Sequence, residues 1–280
     1  LALARAGRER QQARDAVDGV ARFWELSADE RQALSSRLKE ERRAAGEVVI
    51  RQGEPGDKFY LIKSGAVSVT FRLPDGAEHL AARLSAGDYF GEIALVKNVP
   101  RTATVTAASD CSLLTLDRGD FELLLSQQVD LAPRIDRLIE NRGFLSRLPL
   151  FAEFAPGQMA MVASRLIPER YRPGERVFSQ GDPGDSFYII KEGQVDILVA
   201  RDGQESRVAE LGPGEYFGEI ALLLDVPRTA SVVAKGDCLV LRLMQGDFME
   251  LLGEQLYFSR SLEQASSRRM KDTRYKINVE

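Results

Sequence analysis

Apolar positions along this chain come in short runs of strand length, and clusters of glycine and proline separate the runs. In the first half they predict strands at Glu47 to Ile50, Lys58 to Lys63, Ala66 to Phe71, Leu80 to Leu84, Thr102 to Ala107 and Cys111 to Asp117, with equivalents in the second half. Many short strands at such spacing, punctuated by turn residues, predict a barrel or a jelly-roll-like sandwich. Helical spacing appears only outside these runs. Ser27, followed three residues later by Glu30, reads as a capping box opening a helix toward Leu38. Phe121 to Ser126 and Arg134 to Asn141 carry apolar residues at helical spacing, with Gly143 as the predicted stop. A helical tail is expected over Leu256 to Lys276.

The pattern is written twice. Tyr89 to Val105 (YFGEIALVKNVPRTATV) returns at Tyr216 to Val232 (YFGEIALLLDVPRTASV), identical at 13 of 17 positions and offset by 127. Upstream, Gln52 to Tyr60 matches Gln180 to Tyr188 with an offset of 128. One residue has therefore been lost between the blocks, at the turn Pro74-Asp75-Gly76 against Asp202-Gly203, where length changes are tolerated. Repetition at this scale implies two domains. The boundaries read as a helical lead over 1–18, a first domain over 19–142, and a second over 143–280 that includes the tail.

A length of 280 residues suits two domains of ordinary size. The composition, 44% hydrophobic and 29% charged, is that of a soluble globular protein, and the expected location is cytoplasmic. The longest apolar runs fall far short of the roughly 20 residues that span a bilayer, so no direct membrane insertion is expected. A formal net charge of -4 argues against nucleic acid as a partner, because that would need a broad basic face. Any bound anion must be held locally. A leucine at position 1 suggests a fragment or a processed chain. Cys111 and Cys238 recur 127 positions apart and read as small buried residues, since two cysteines make neither a disulfide framework nor a metal site. His79 has no counterpart in the second copy and is given no role. The basic residues Arg268, Arg269, Lys271, Arg274 and Lys276 of the tail read as a solvated face or a partner surface.

The candidate chemistry lies in the repeated block. Gly91 and Gly218 allow close backbone approach, and the Glu-Ile-Ala that follows (Glu92, Ile93, Ala94; Glu219, Ile220, Ala221) can start a helical turn whose free N–H groups face an anion. Arg101 and Arg228, nine residues after each glutamate, supply the planar donor fork suited to two phosphate oxygens. Ala103 and Ala230 leave room beside them. A glutamate next to an anion needs another task, and accepting a hydrogen bond from a ribose hydroxyl is one. The competing reading pairs each glutamate with the arginine of its own block. No P-loop, H-E-x-x-H or Cys/His cluster is present, so neither catalysis, nor a metal, nor a cofactor is expected.

These motifs, FGEIAL, Pro-Arg-Thr-Ala and Gln-Gly-[Glu/Asp]-Pro-Gly-Asp-x-Phe-Tyr, resemble the signatures of the cyclic-nucleotide-binding domain over about residues 19 to 255. The resemblance implies a mainly β fold with flanking helices: two tandem eight-stranded jelly-roll-like β-barrels joined by helices. It implies one cyclic nucleotide, cAMP or cGMP, per domain, with the arginine on the cyclic phosphate and the glutamate on the ribose 2'-hydroxyl. Thr102 and Thr229, which follow the arginines, resemble the threonine that reads the guanine amino group in some members, although related channels with Arg-Thr-Ala-Ser-Val also accept cAMP. Gly157 falls where a base-capping tryptophan would stand in the first site, and Tyr257 and Tyr275 are candidates for the second. The tandem order is similar to the regulatory subunits of cyclic-AMP-dependent protein kinase, which implies a kinase catalytic subunit as partner. Leu1 to Val20 holds no clear pseudosubstrate. The alternatives are a sensor module of a larger bacterial effector or transporter, or a variant that responds to another purine nucleotide or nucleoside.

Overall fold

The computed structural model describes residues 15–18, 26–72, 76–127, 130–201, 203–254 and 256–278. Of the expected lead over 1–18, only the helical residues 15–18 fall within them. The chain divides into two compact units, Leu1–Gly143 with Phe154–Ser164, and Phe144–Glu153 with Arg165–Glu280. The segment 154–164, which follows the expected 142/143 boundary in sequence, thus packs with the first unit.

The first unit opens with α1 (Ala28–Arg37), whose N-cap Ser27 accepts from the Glu30 N–H while Glu30 reaches back to the Ser27 N–H, the expected capping box. Eight strands follow: β1 (Lys39–Arg43), β2 (Val48–Ile50), β3 (Lys58–Ser64), β4 (Ala66–Arg72), β5 (Glu78–Ser85), β6 (Tyr89–Phe90), β7 (Thr104–Ala107) and β8 (Cys111–Asp117). They form two antiparallel sheets in the orders β1-β8-β3-β6 and β2-β7-β4-β5. Alternate residues of both sheets, among them Ile62, Val67, Val105 and Leu113, point into one apolar core. A short helix α2 (Glu92–Val96) interrupts the strands between β6 and β7, and α3 (Arg118–Gln127) and α4 (Leu131–Leu145) come after β8.

The second unit repeats this order with β9 (Ile167–Tyr171), β10 (Arg176–Phe178), β11 (Ser186–Glu192), β12 (Val195–Arg201), β13 (Gln204–Leu211), β14 (Tyr216–Phe217), β15 (Ser231–Ala234) and β16 (Cys238–Met244). Its sheets, β9-β16-β11-β14 and β10-β15-β12-β13, copy the first pair strand for strand. Its helices are α6 (Glu219–Leu224), α7 (Gln245–Glu254) and α8 (Leu256–Asn278), while α5 (Pro156–Arg165), which comes before β9 in sequence, belongs as far as Ser164 to the first unit.

The expected count of eight strands per domain holds, but among the described residues the strands lie in pairs of four-stranded sheets rather than in a sheet closed on itself. Two strands in each unit escape a reading based on apolar alternation. β1 reads Lys-Glu-Glu-Arg-Arg, a charged strand that among the described residues pairs with β8 alone, and charge is how exposed edges avoid pairing with other chains. β6 is only two residues long. Gly143 does not stop α4, which runs on to the fully buried Leu145.

Candidate functional site

Both short helices begin the same way. Gly91 and Gly218 are N-caps in the left-handed region, each at φ +88, which a side chain would strain. Space is closed as well: a Cβ on Gly91 would lie 2.8 Å from Arg101 Nη1, and one on Gly218 would lie 2.8 Å from Arg228 Nη1. The upstream block explains itself here. A Cβ on Gly56 would stand 2.5 Å from the Ala94 methyl, and one on Gly184 would stand 2.6 Å from that of Ala221. Small residues on both sides let the β2–β3 and β10–β11 loops close onto α2 and α6.

The arginines are buried and held by backbone. Arg101 donates to the Gly91 carbonyl at 2.9 Å and the Lys58 carbonyl at 2.7 Å. Arg228 donates to the Gly218 carbonyl at 3.0 Å and the Ser186 carbonyl at 2.9 Å, and also to Asp185 Oδ1 at 3.3 Å. Burial is the main influence on both guanidinium groups and lowers their pKa. Arg228 Nε is buried without a hydrogen-bond partner, an exception that calls for an explanation.

The glutamates are as deeply buried, at 2% and 1% exposure, yet neither pairs with the arginine of its own block. Glu92 is bound by Arg142 of α4, and Glu219 by Arg269 of α8, whose Nη1 lies 2.8 Å from Oε1. This overturns the competing reading of the sequence. It also exposes a missed signal: both pairs span 50 residues (142 − 92 and 269 − 219), so an arginine recurs at the offset of the repeat itself. Arg142 and Arg269 each also lie over a ring, Tyr89 at 5.7 Å and Tyr216 at 4.6 Å. Burial would depress Arg142, but Glu92 and Tyr89 outweigh it and hold the guanidinium above its ordinary value. Burial pushes the Glu219 carboxyl up, against the pull of Arg269.

In the second unit these groups face a cavity of about 210 Å³. Gly218, Glu219, Ile220, Ala221, Arg228, Thr229 and Ala230, all expected from sequence, line it together with Arg269. Its other wall is apolar, with Ile197, Val199, Val208 and Leu211. In the first unit Gly91, Glu92, Ile93, Ala94, Arg101, Thr102 and Ala103 occupy the same positions on β6, α2 and the approach to β7. Ala94 and Arg101 are buried there, Ile93 and Ala103 are half-buried, and Thr102 is exposed. Gly157, where a cap was expected, opens α5 in this unit, and a Cβ there would already lie 3.0 Å from Asp88 Oδ1. The side chains of Tyr257 and Tyr275 lie outside the described residues. No group of acidic, histidine or cysteine residues able to hold a metal occurs among the described residues, and no helix among them is long and apolar enough to cross a membrane.

A buried arginine, a buried carboxylate and an apolar wall around one cavity mark a ligand-binding site in the second unit, and the first unit carries the same residues at matching positions. The family described as Cyclic nucleotide-binding domain matches at residues 40–128 and 168–255. The chain belongs to that family and carries two copies of its domain. It is 38% identical over 232 residues to the cAMP-dependent protein kinase regulatory subunit of Blastocladiella emersonii, covering 82% of this chain and 56% of that protein. The regulatory subunit of the same name from Yarrowia lipolytica is 36% identical over 238 residues, covering 84% and 59%. The chain thus spans little more than half the length of these curated relatives. Among solved structures, cAMP-bound PfPKA-R (141–441) superposes with a TM-score of 0.62 at 25% identity, covering 95% of this chain and 91% of that one. The regulatory subunit of a cAMP-independent protein kinase A from Trypanosoma brucei shares the fold, with a TM-score of 0.53 at 22% identity over 96% of both chains.

Proposed function

We propose that this chain is the ligand-sensing part of a protein kinase regulatory subunit, which binds one cyclic nucleotide, cAMP in preference to cGMP, in each unit and catalyses no reaction itself. The observation that carries the reading is Arg228: a buried guanidinium with an unpartnered Nε, on a cavity whose carboxylate, Glu219, is aimed from the neighbouring helix start. The cyclic phosphate takes the arginine, and the ribose 2'-hydroxyl donates to the glutamate. The names of the relatives from Blastocladiella emersonii and Yarrowia lipolytica support cAMP as ligand and a kinase catalytic subunit as partner.

Each glutamate is shared between ligand and a following helix, through Arg142 in one unit and Arg269 in the other. Ligand that draws on the carboxylate therefore bears on where that helix packs, and it shifts the helix only by its differential affinity for the two arrangements. The test begins with mass spectrometry of any nucleotide released on denaturation. Calorimetry of the stripped protein with cAMP, cGMP and inosine analogues follows, with two sites per chain expected. One site, or preference for a nucleoside lacking the phosphate, would overturn the reading. Full-length protein mixed with the catalytic subunit tests the partner, with release of kinase activity by cAMP expected.

A further inference from the structure

We propose that Phe178 is a positioning residue of the second site, whose ring face holds the Arg228 guanidinium in place before a phosphate arrives. The inference rests on the reading of Arg228 as the phosphate ligand. Arg228 Cζ lies 4.2 Å from the Phe178 ring centroid, close for a cation over an aromatic face. Among the described residues of the first unit no ring lies as close to Arg101: the position that matches Phe178 at the end of β10 is Ile50 at the end of β2. What the two sites share is a more distant tyrosine, Tyr60 at 5.9 Å from Arg101 and Tyr188 at 5.7 Å from Arg228. The phenylalanine is thus an addition to a common plan.

Its ring is itself held. Phe178 lies 5.7 Å from Tyr188 and 5.8 Å from Phe217, and those two are stacked at 5.0 Å. The first unit keeps the stacked pair, Tyr60 and Phe90 at 4.9 Å. A buried cation is costly unless it is compensated, and an empty site has no phosphate to compensate it. The ring face and Asp185 supply part of that compensation while Nε keeps no hydrogen-bond partner. A pre-placed arginine raises apparent affinity, because affinity scales with the fraction of molecules already competent to bind.

Phe178 also lines the cavity, so a change in its size could act by shape alone. The experiment therefore alters the charge of the ring face and keeps its shape, with mono-, di-, tri- and pentafluorinated phenylalanine at position 178 of the full chain. Binding of cAMP is read in the Arg101→Ala background, where only the second site reports. The expected result is a stepwise weakening, reaching about 2- to 30-fold, the range set by a cation over a ring. Affinity that stays flat through the fluorinated series while Phe178→Ile weakens binding would reduce Phe178 to a wall and overturn the proposal. A second readout needs no ligand. Arginine-labelled NMR should find the Arg228 Nε–H sharp and shifted by the ring, then broadened by fluorination. If the parent bound no cyclic nucleotide, the function proposed above would fail, and this resonance would still decide the role of Phe178: sensitivity to fluorination supports it, and indifference overturns it.

Discussion

The two cradles share one design and differ in how firmly they hold its central cation. Arg101 rests on two carbonyls, a tyrosine 5.9 Å away and Asp57 at 3.6 Å, too long for a hydrogen bond. Arg228 has the same two carbonyls, a hydrogen bond to Asp185 and the face of Phe178. Asp185 is in turn gripped by Arg242 at 3.2 Å, where the first unit has Thr115. The first unit places its spare cation on the neighbouring strand instead: Lys58 pairs with Glu41 at 2.7 Å, while Arg242 pairs with the matching Glu169 at 3.0 Å. The two units distribute charge differently around the shared plan: Glu41 takes both Lys58 and Arg43, whereas Arg242 bridges Glu169 and Asp185, and Asp185 in turn reaches Arg228.

The largest effects should come from the arginines. Arg228→Ala leaves a phosphate in a sheltered pocket without its charged partner, which costs roughly 2 to 5 kcal/mol. Affinity at the second site should fall at least about thirtyfold by calorimetry. Lysine should restore little, because a point charge cannot make the forked contact. Arg101→Ala should silence the first site alone, and the double variant should bind nothing. A double variant that still binds two nucleotides would end the comparison.

Next come the glutamates. Glu219→Ala should weaken the second site by about 1.5 to 3 kcal/mol, the range for a hydrogen bond to a charged group, and a 2'-deoxy ligand should hide most of that loss. An equal loss with both ligands would remove the ribose from the argument. Smaller again is the effect of the helix arginines on the ligand-free fold. Breaking a fully buried ion pair costs a few kcal/mol, but the Arg269 side chain is 29% exposed, so Arg269→Met should cost the second unit about 1 to 2 kcal/mol in denaturant melts. Arg142→Met should cost the first unit a similar amount, its side chain being 25% exposed.

Much of this was legible in the sequence because the repeat doubled every signal. Gly91, Glu92 and Arg101 recur as a set, and the fold brings each set together. Strands with buried apolar residues, such as β3 and β8, were found nearly to the residue. What escaped obeys other physics. β1 is charged throughout and owes its place to pairing with β8, α5 hides a glycine and a proline in its first turn, and α4 outruns Gly143 because Leu145 is buried. Arg142 and Arg269 lie in segments whose sequence signals only helical spacing or surface charge, and their partnership with glutamates 50 residues back is set by tertiary packing.

The smallest expected effect separates the two roles given to Glu219. Burial raises its carboxyl pKa above the ordinary value, so the folded second unit binds this proton more tightly than the unfolded chain does. Stability from that difference is fully present below the unfolded pKa and is lost as pH rises through the folded one. Measured against Glu219→Gln, which cannot titrate, the ligand-free parent should therefore gain stability as pH falls from neutrality, by no more than about 1.4 kcal/mol per pH unit for one proton. Ligand affinity should move the other way. The ribose contact and the bond from Arg269 are both stronger to the carboxylate than to the neutral acid, so binding at the second site should weaken on acidification, starting above the usual carboxylate range. Denaturant melts and calorimetry over the same pH series would give two curves of opposite slope if one group serves both as buried ion-pair partner and as sugar acceptor. Curves that fall together would place the titrating group elsewhere and leave Glu219 to the fold alone.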